Sequence, residues 1–586
     1  MKYPSTCMAA LLAIALPLCA INGGGDGDAG PAASKRKPLR LPSDLVLELL
    51  STSAMTGPMQ RQDFAWIGPQ LEARFDPELD YGVHSDLFGQ FELDKHMSAK
   101  SLLETMSTIA GANQDPEGSR FDAIGNQLLL VHEQAVVDKM KLAWQQVLHN
   151  TAPGLRVEYL FFDVGPEEHG PTPGILDAGK ALDLLEKANA GEVGRVLFHG
   201  SASVRSGESL SLGRQRHQKI VGDINVEIAQ ESSAGDPITI DLDLGLGLSL
   251  RPILAPDGER FALFGLFSSR ELDGGVQTES LVTKALKRID QVRIDYRQNA
   301  FSLMLGDGQA LLLAPGGAEQ PGLRVLIQLR RGDQRLQDPA GVALIPTGLI
   351  STGALQPKKP RVGVPDWFPA RGISVGFIED SVSNLLVETD DMSIVQSHPE
   401  FLLVKSKAAD QGRKVLDRLS ADLTRSFVIE VRQEVQPLED LRAPWSPHGQ
   451  AVRILTMGNR LGFAMNGYEQ TFTGDYEVEV AQKANIGDPK QRACFVGFRG
   501  WAAAVPAGDS VLVHLDLRDS SLQEWRRIST PTEATGDMTL PAIEEVHIQQ
   551  QLSMTKGETR SLGEGARCEI HGVPHRTRLT VQLIER

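Results

Sequence analysis

GDINVEIAQ at residues 222–230 and GDYEVEVAQ at residues 474–482 are two versions of one pattern, 252 residues apart. Each runs on without a gap to Gly-Asp-Pro, at 235–237 and 487–489, again 252 apart. Ile224, Val226 and Ile228 alternate with polar residues in the first stretch, as Tyr476, Val478 and Val480 do in the second. A period of two predicts a strand with one buried face. Each Gly-Asp-Pro reads as the turn that ends it. Gly222, Asp223, Val226 and Glu227 recur as Gly474, Asp475, Val478 and Glu479, which marks an internal duplication of a strand-rich module.

Working outward, the match extends in both directions. SAKSLL (98–103) is answered by SVSNLL (381–386), and LLLV (128–131) by FLLV (401–404). In each copy a helix comes next, carried by Val136, Met140, Ala143, Trp144, Val147 and Leu148 or by Val415, Leu416 and Leu419. A strand then closes the unit, RVEYLFFDV (156–164) or FVIEVRQEV (427–435). Farther on, SVLVHLDLRDSS answers ERFALFGLFSS, IEEVHIQQQ answers IDQVRIDYR, and LTVQLIER answers RVLIQLRR. The expected fold class is therefore α+β: two tandem copies of a small βαββα module, each followed by a mostly antiparallel β domain. The boundaries fall at 91–165 and 370–436 for the small modules, and at 166–335 and 437–586 for the β domains. Pro, Lys and Gly in QPKKPRVGVPDWFP place a linker at 336–369. Residues 42–90 form an N-terminal segment in which SDLVLELL, with Ser43 as cap, reads as a short helix.

The chain has 586 residues, more than one core usually serves, and a net charge of −16, which excludes a nucleic-acid binder for want of a basic surface. Lys2, the apolar run LLAIALPLCA and the Gly-rich stretch after it read as a signal peptide over residues 1–20, with a flexible leader at 21–41. No later run reaches about 18 apolar residues, so no transmembrane helix is expected. The expected location is the exported compartment, periplasm or outer envelope, with membrane association only if Cys19 is lipidated. Cys494 and Cys568 remain in the mature chain, and an oxidising compartment makes a disulfide between them one reading and two buried thiols the other.

The closing strand with Val157, Glu158 and Val164, the VEIAQ strand (226–230), PDGERFAL (256–263) and GDGQALLL (306–313) together resemble the secretin family, the outer-membrane ring channels of bacterial secretion and pilus systems. The likeness covers 91–331 and 369–586, and in the second copy residues 556–558 replace the Gly-Asp-Gly turn. The chain departs from a channel-forming secretin in carrying two shortened β domains without amphipathic membrane hairpins. The resemblance implies an envelope protein whose modules bind other modules, itself or envelope partners, including in rings.

No catalytic, cofactor or metal residue is assigned. Glu227, Asp236, Asp475, Glu477, Glu479 and Asp488 read as a solvated strand face, with a cation site or a glycosidase-like carboxylate pair as the sharper alternatives. His571 and His575 are spaced as helical metal ligands, but Pro574 lies between them. Arg214, Arg216, His217 and Lys219 form a basic patch that the second copy lacks, read either as a loop or as a dock for an acidic partner. H-E-x-x-H and P-loop motifs are absent. The leading expectation is a non-enzymatic structural or assembly protein of the bacterial envelope. A carbohydrate- or peptide-binding β-domain protein and an envelope hydrolase with unassembled carboxylates are the alternatives.

Overall fold

The structure is a computed structural model that describes residues 45–51, 71, 98–112, 119–124, 127–165, 170–229, 232–279, 289–315, 322–349, 394–398, 401–458, 460–481, 484–529, 538–570 and 573–585. Antiparallel strands dominate it.

The chain opens on β1 (Val46–Ser51), α1 (Ala99–Ala110), β2 (Arg120–Ile124), β3 (Gln127–His132) and α2 (Gln134–Thr151). The VLELL part of the SDLVLELL run is thus a strand rather than a helix. Its alternation of half-buried and exposed residues lets it pair with β3, Val46 opposite His132. Ser98 caps α1 by accepting the Ser101 N–H at 3.0 Å, and Gly111 ends the helix in a left-handed turn at φ 59°. On α2 the buried residues Val137, Met140, Ala143, Trp144, Val147 and Leu148 recur at helical spacing and meet Leu102 and Met106 of α1.

The closing strand β4 (Gly154–Val164) leaves this unit. It sits in a five-stranded sheet, order β5-β11-β12-β4-β6, with β5 (Gly174–Leu176), β6 (Arg195–Arg205), β11 (Ala310–Leu313) and β12 (Gly322–Arg331). The reason is its burial on both faces, since Leu160 and Phe162 pack on α3 (Ala178–Asn189) while Val157 and Phe161 face the other way.

In the second half β13 (Val342–Pro346), β14 (Ile394–His398) and β15 (Phe401–Lys405) form a sheet of order β13-β15-β14, matching β1-β3-β2. β13 lies inside the 336–369 stretch expected to be linker, because VALIP is apolar enough to be buried. The helix expected at 381–386 lies outside the described residues. After α4 (Ala409–Thr424), β16 (Ser426–Pro437), β17 (Ser446–Met457), β22 (Thr559–Ile570) and β23 (Val573–Glu585) form a sheet of order β17-β16-β23-β22. That is the order β6-β4-β12-β11 of the first half.

The remaining strands make one eight-stranded sheet. β7 (Leu210–Ala229), β8 (Ser232–Leu254), β9 (Arg260–Glu279) and β10 (Ile289–Gly306) run as a meander. So do β18 (Leu461–Ala481), β19 (Ala484–Ala507), β20 (Ser510–Ile528) and β21 (Met538–Met554). β10 pairs with β18 and joins the two. One half of this sheet packs on the five-stranded sheet, with Leu248, Phe267 and Phe301 against Phe161, Val325 and Ile327. The other half packs on the four-stranded sheet, with Val513 and Leu515 against Ile429 and Val581.

The halves are therefore packed together. On α2, Asn150 donates to the Leu336 carbonyl at 3.1 Å and accepts the Leu336 N–H at 3.0 Å. Leu344, Phe401 and Leu403 of the second half complete the core under Trp144. Among the described residues no helix is long and apolar enough to cross a membrane.

Candidate functional site

The duplicated stretches form the outer parts of two long hairpins. Gly-Asp-Pro is not a turn in either. Val226, Asn225 and Ile224 pair with Gly235, Asp236 and Pro237, and Val478, Glu477 and Tyr476 with Gly487, Asp488 and Pro489. The pairing runs on to Ala229 opposite Ser232 and to Ala481 opposite Ala484. Both hairpins slip register at the same place, between Val221 and Asp223 and between Thr473 and Asp475. Gly222 and Gly474 are thus the extra residues of two equivalent bulges, which raises local twist. Asp223, Val226 and Glu227, like Val478 and Glu479, occupy ladder positions in these strands. Asp475 is exposed, and one of its oxygens accepts the Tyr476 N–H at 2.8 Å.

Other marks coincide. Gly245 and Gly497 both take positive φ, 117° and 133°, where a Cβ would run into the carbonyl oxygen of Arg214 or Asn466. In the late turns Gly308 donates to the Leu329 carbonyl and Gly557 to the Leu583 carbonyl, each at 2.8 Å. The turns are braced alike, Gln309 accepting from the Gly306 N–H and Glu558 from the Thr555 N–H. Thus residues 555–558 keep the turn although the letters differ. One alignment shifts: Ile543 faces Leu522 as Ile294 faces Leu272, so Ile543 takes the place of Ile294 and not Ile289.

The junction between the meanders runs from Arg293 opposite Gln470 to Ala300 opposite Phe463. Arg293 lies over the Tyr468 ring, 3.7 Å from its centre, and Asp295 is the direct partner of Tyr468. Burial raises the Asp295 carboxyl above its ordinary range, with Arg293 pulling it down and Asp273 adding to the rise.

Among the described residues, β7 and β21 at the far ends of the sheet each have one strand neighbour. The basic patch lies on β7, so it is a strand and not a loop; Arg214, Arg216, His217 and Lys219 are exposed there. His217 meets Asp243 at 2.6 Å and Lys219 meets Asp241 at 3.7 Å, each across the hairpin.

Cys494, buried on β19, and Cys568, half-buried on β22 of another sheet, are free thiols in this structure. Burial, with the Asp519 charge, pushes the Cys568 thiol up. Asp519 itself, missed in the sequence because nothing around it signals burial, is raised to about 6 by desolvation, although Ala566 N–H and Gln433 donate to it. Burial also opposes ionisation of Glu430, but hydrogen bonds from Arg453 (2.6 Å) and Arg432 (2.5 Å) hold its carboxyl below the usual range. His575 donates from Nδ1 to the Val573 carbonyl, 2.8 Å away, while His571 lies outside the described residues. No group of three potential metal-ligating side chains occurs among the described residues. GISVG at 372–376 fits the G-x-S-x-G pentapeptide and lies outside the described residues.

No protein-family profile and no curated protein matches the chain. Among solved structures it is similar to the Salmonella SPI-1 type III secretion injectisome secretin InvG, at 11% identity over 35% of this chain and 78% of that one, TM-score 0.18. It is similar to Aeromonas hydrophila ExeD at 9% identity over 93% and 91%, TM-score 0.18. The type II secretion system secretin GspD of E. coli K12 matches at 9% identity over 93% and 90%, TM-score 0.18. Superpositions this loose do not establish a shared fold.

Proposed function

We propose that this chain is a non-enzymatic assembly protein of the bacterial envelope, built from two copies of a secretin-like unit, that associates with itself or with envelope partners through the edges of its strands. One observation carries the reading: the last strand of one four-stranded meander, β10, pairs with the first strand of the next, β18. A unit that joins to its own duplicate by backbone pairing has an edge chemistry suited to joining further units, because unpaired N–H and C=O groups are the template for adding a strand. The equivalent bulges and turns support reading the two meanders as copies of one unit. The charge patterns on the strands serve pairing and solubility in this reading, with no reaction assigned to them.

Light scattering on the purified mature chain, followed by electron microscopy of the main peak, tests it. Closed symmetric particles are the expected result. A monomer at every concentration, with and without detergent, overturns self-association.

A further inference from the structure

The internal junction has a defined register, and the repeat carries that register to the two edges that are open among the described residues. β7 corresponds to β18 displaced by 252 residues, as the shared bulge and the Gly245 and Gly497 positions require. β21 corresponds to β10 displaced by 249 residues: Ile543 takes the place of Ile294, and Met554, opposite Val511, that of Leu305, opposite Phe261. Applied to the pairing of Ile294 with Glu469, Asp295 with Tyr468 and Asn299 with Ala464, these displacements set Ile543 opposite His217, Glu544 opposite Arg216 and Ile548 opposite Leu212.

Resting on the self-association reading, we propose that β21 of one molecule pairs antiparallel with β7 of a second copy of this chain in that register, with Glu544 against Arg216. Charge selects the same arrangement independently of the repeat. His217 and Lys219 are answered within their own hairpin, whereas Arg214 and Arg216 sit opposite Leu246 and Leu244 and have no ion-pair partner among the described residues. β21 supplies Glu544, also without an ion pair among the described residues, beside Glu545, which already bridges Arg499 and Arg518. Two β7 edges brought together would set arginines against each other, and two β21 edges would do so with glutamates. Only the head-to-tail joint matches opposite charges, and a head-to-tail joint propagates into a ring or filament instead of stopping at a dimer. The partner is a second copy because both complementary edges belong to one chain and its own internal joint has the same polarity.

The test uses the full mature chain with Arg216→Glu, with Glu544→Arg and with both, compared by light scattering at low salt after circular dichroism has confirmed unchanged strand content. Both sites are at the sheet's edges, so folding should survive. Each single reversal is expected to weaken association by roughly tenfold or more, and the double reversal to restore it. A second variant, Arg216→Cys with Glu544→Cys, is expected to give a ladder of covalent multimers on a non-reducing gel, absent when either cysteine is left out. Assembly of the single reversals at wild-type strength, with no ladder, overturns this joint while leaving self-association through another surface standing. A cross-link confined to single chains overturns it in favour of a sheet that closes on itself. A wild-type chain that never associates overturns both this joint and the reading beneath it.

Discussion

Asp519 shows how one buried carboxyl couples the two sheets of the second half to pH. It sits on β20 of the large sheet and accepts hydrogen bonds from Gln433 on β16 and the Ala566 N–H on β22 of the smaller one. Because its folded pKa is raised to about 6, the folded state holds its proton more tightly than the unfolded chain does. Its stabilising contribution is complete below the unfolded value near 4 and is lost as pH rises through 6. By this group alone the protein gains up to about 3 kcal/mol between pH 8 and pH 4. Glu430, depressed by Arg453 and Arg432, works in the opposite sense and loses its contribution as acid protonates it. Urea unfolding of the wild type and of Asp519→Asn at pH 8 and pH 5 separates the two: the difference between them is expected to shrink as pH falls, and a constant difference would rule the coupling out.

At the scale of elements, polar groups anchor the joint between α2 and the segment leading into β13. Asn150 makes paired hydrogen bonds with the backbone of Leu336, and Gln146 donates to the Gln337 carbonyl at 3.0 Å. These side chains occupy the helix face that periodicity alone marks as polar, so no helical pattern signals their burial. Asn150→Ala leaves the Leu336 N–H and carbonyl unpaired in a half-buried site and is expected to cost about 1–3 kcal/mol. Faster hydrogen exchange at the Leu336 amide, with the β domains unaffected, is the result that would support this. The strands were more legible than their partners. Alternation identified β7 and β18, but β4 reads as the last piece of a helical unit until Leu160 and Phe162 are seen packed on α3. The SDLVLELL segment carries residues with good helix propensity, and pairing with β3 overrides that local preference.

At the scale of the molecule, the β10 and β18 joint connects strands far apart in sequence, with Ala300 opposite Phe463. A chain ended after residue 349 would leave the free edge of β10 without its partner, while keeping the Phe267, Phe301 and Phe161 core that holds the first half together. Such a fragment is expected to fold and to self-associate more strongly than the full chain, through the edge that β18 normally covers. Sedimentation of the fragment against the full chain measures this, and a fragment that stays monomeric would show that the β10 edge is not adhesive. Pairing across such sequence separation is also entropically slow to form, so the second half is expected to dock after each meander has closed its own hairpins.

By itself the sequence determined that two stretches recur 252 residues apart, that both are strands, and that α1 and α2 are helices with one apolar face, since alternation and helical spacing are local properties of neighbouring residues. The tertiary structure alone decided that Gly-Asp-Pro lies within a strand, that β13 arises inside the expected linker, that Cys494 and Cys568 lie on strands of different sheets, and that the two meanders share one sheet. Each of these depends on which distant segment removes a backbone or side chain from water. That choice is made by packing between elements, and no local pattern records it.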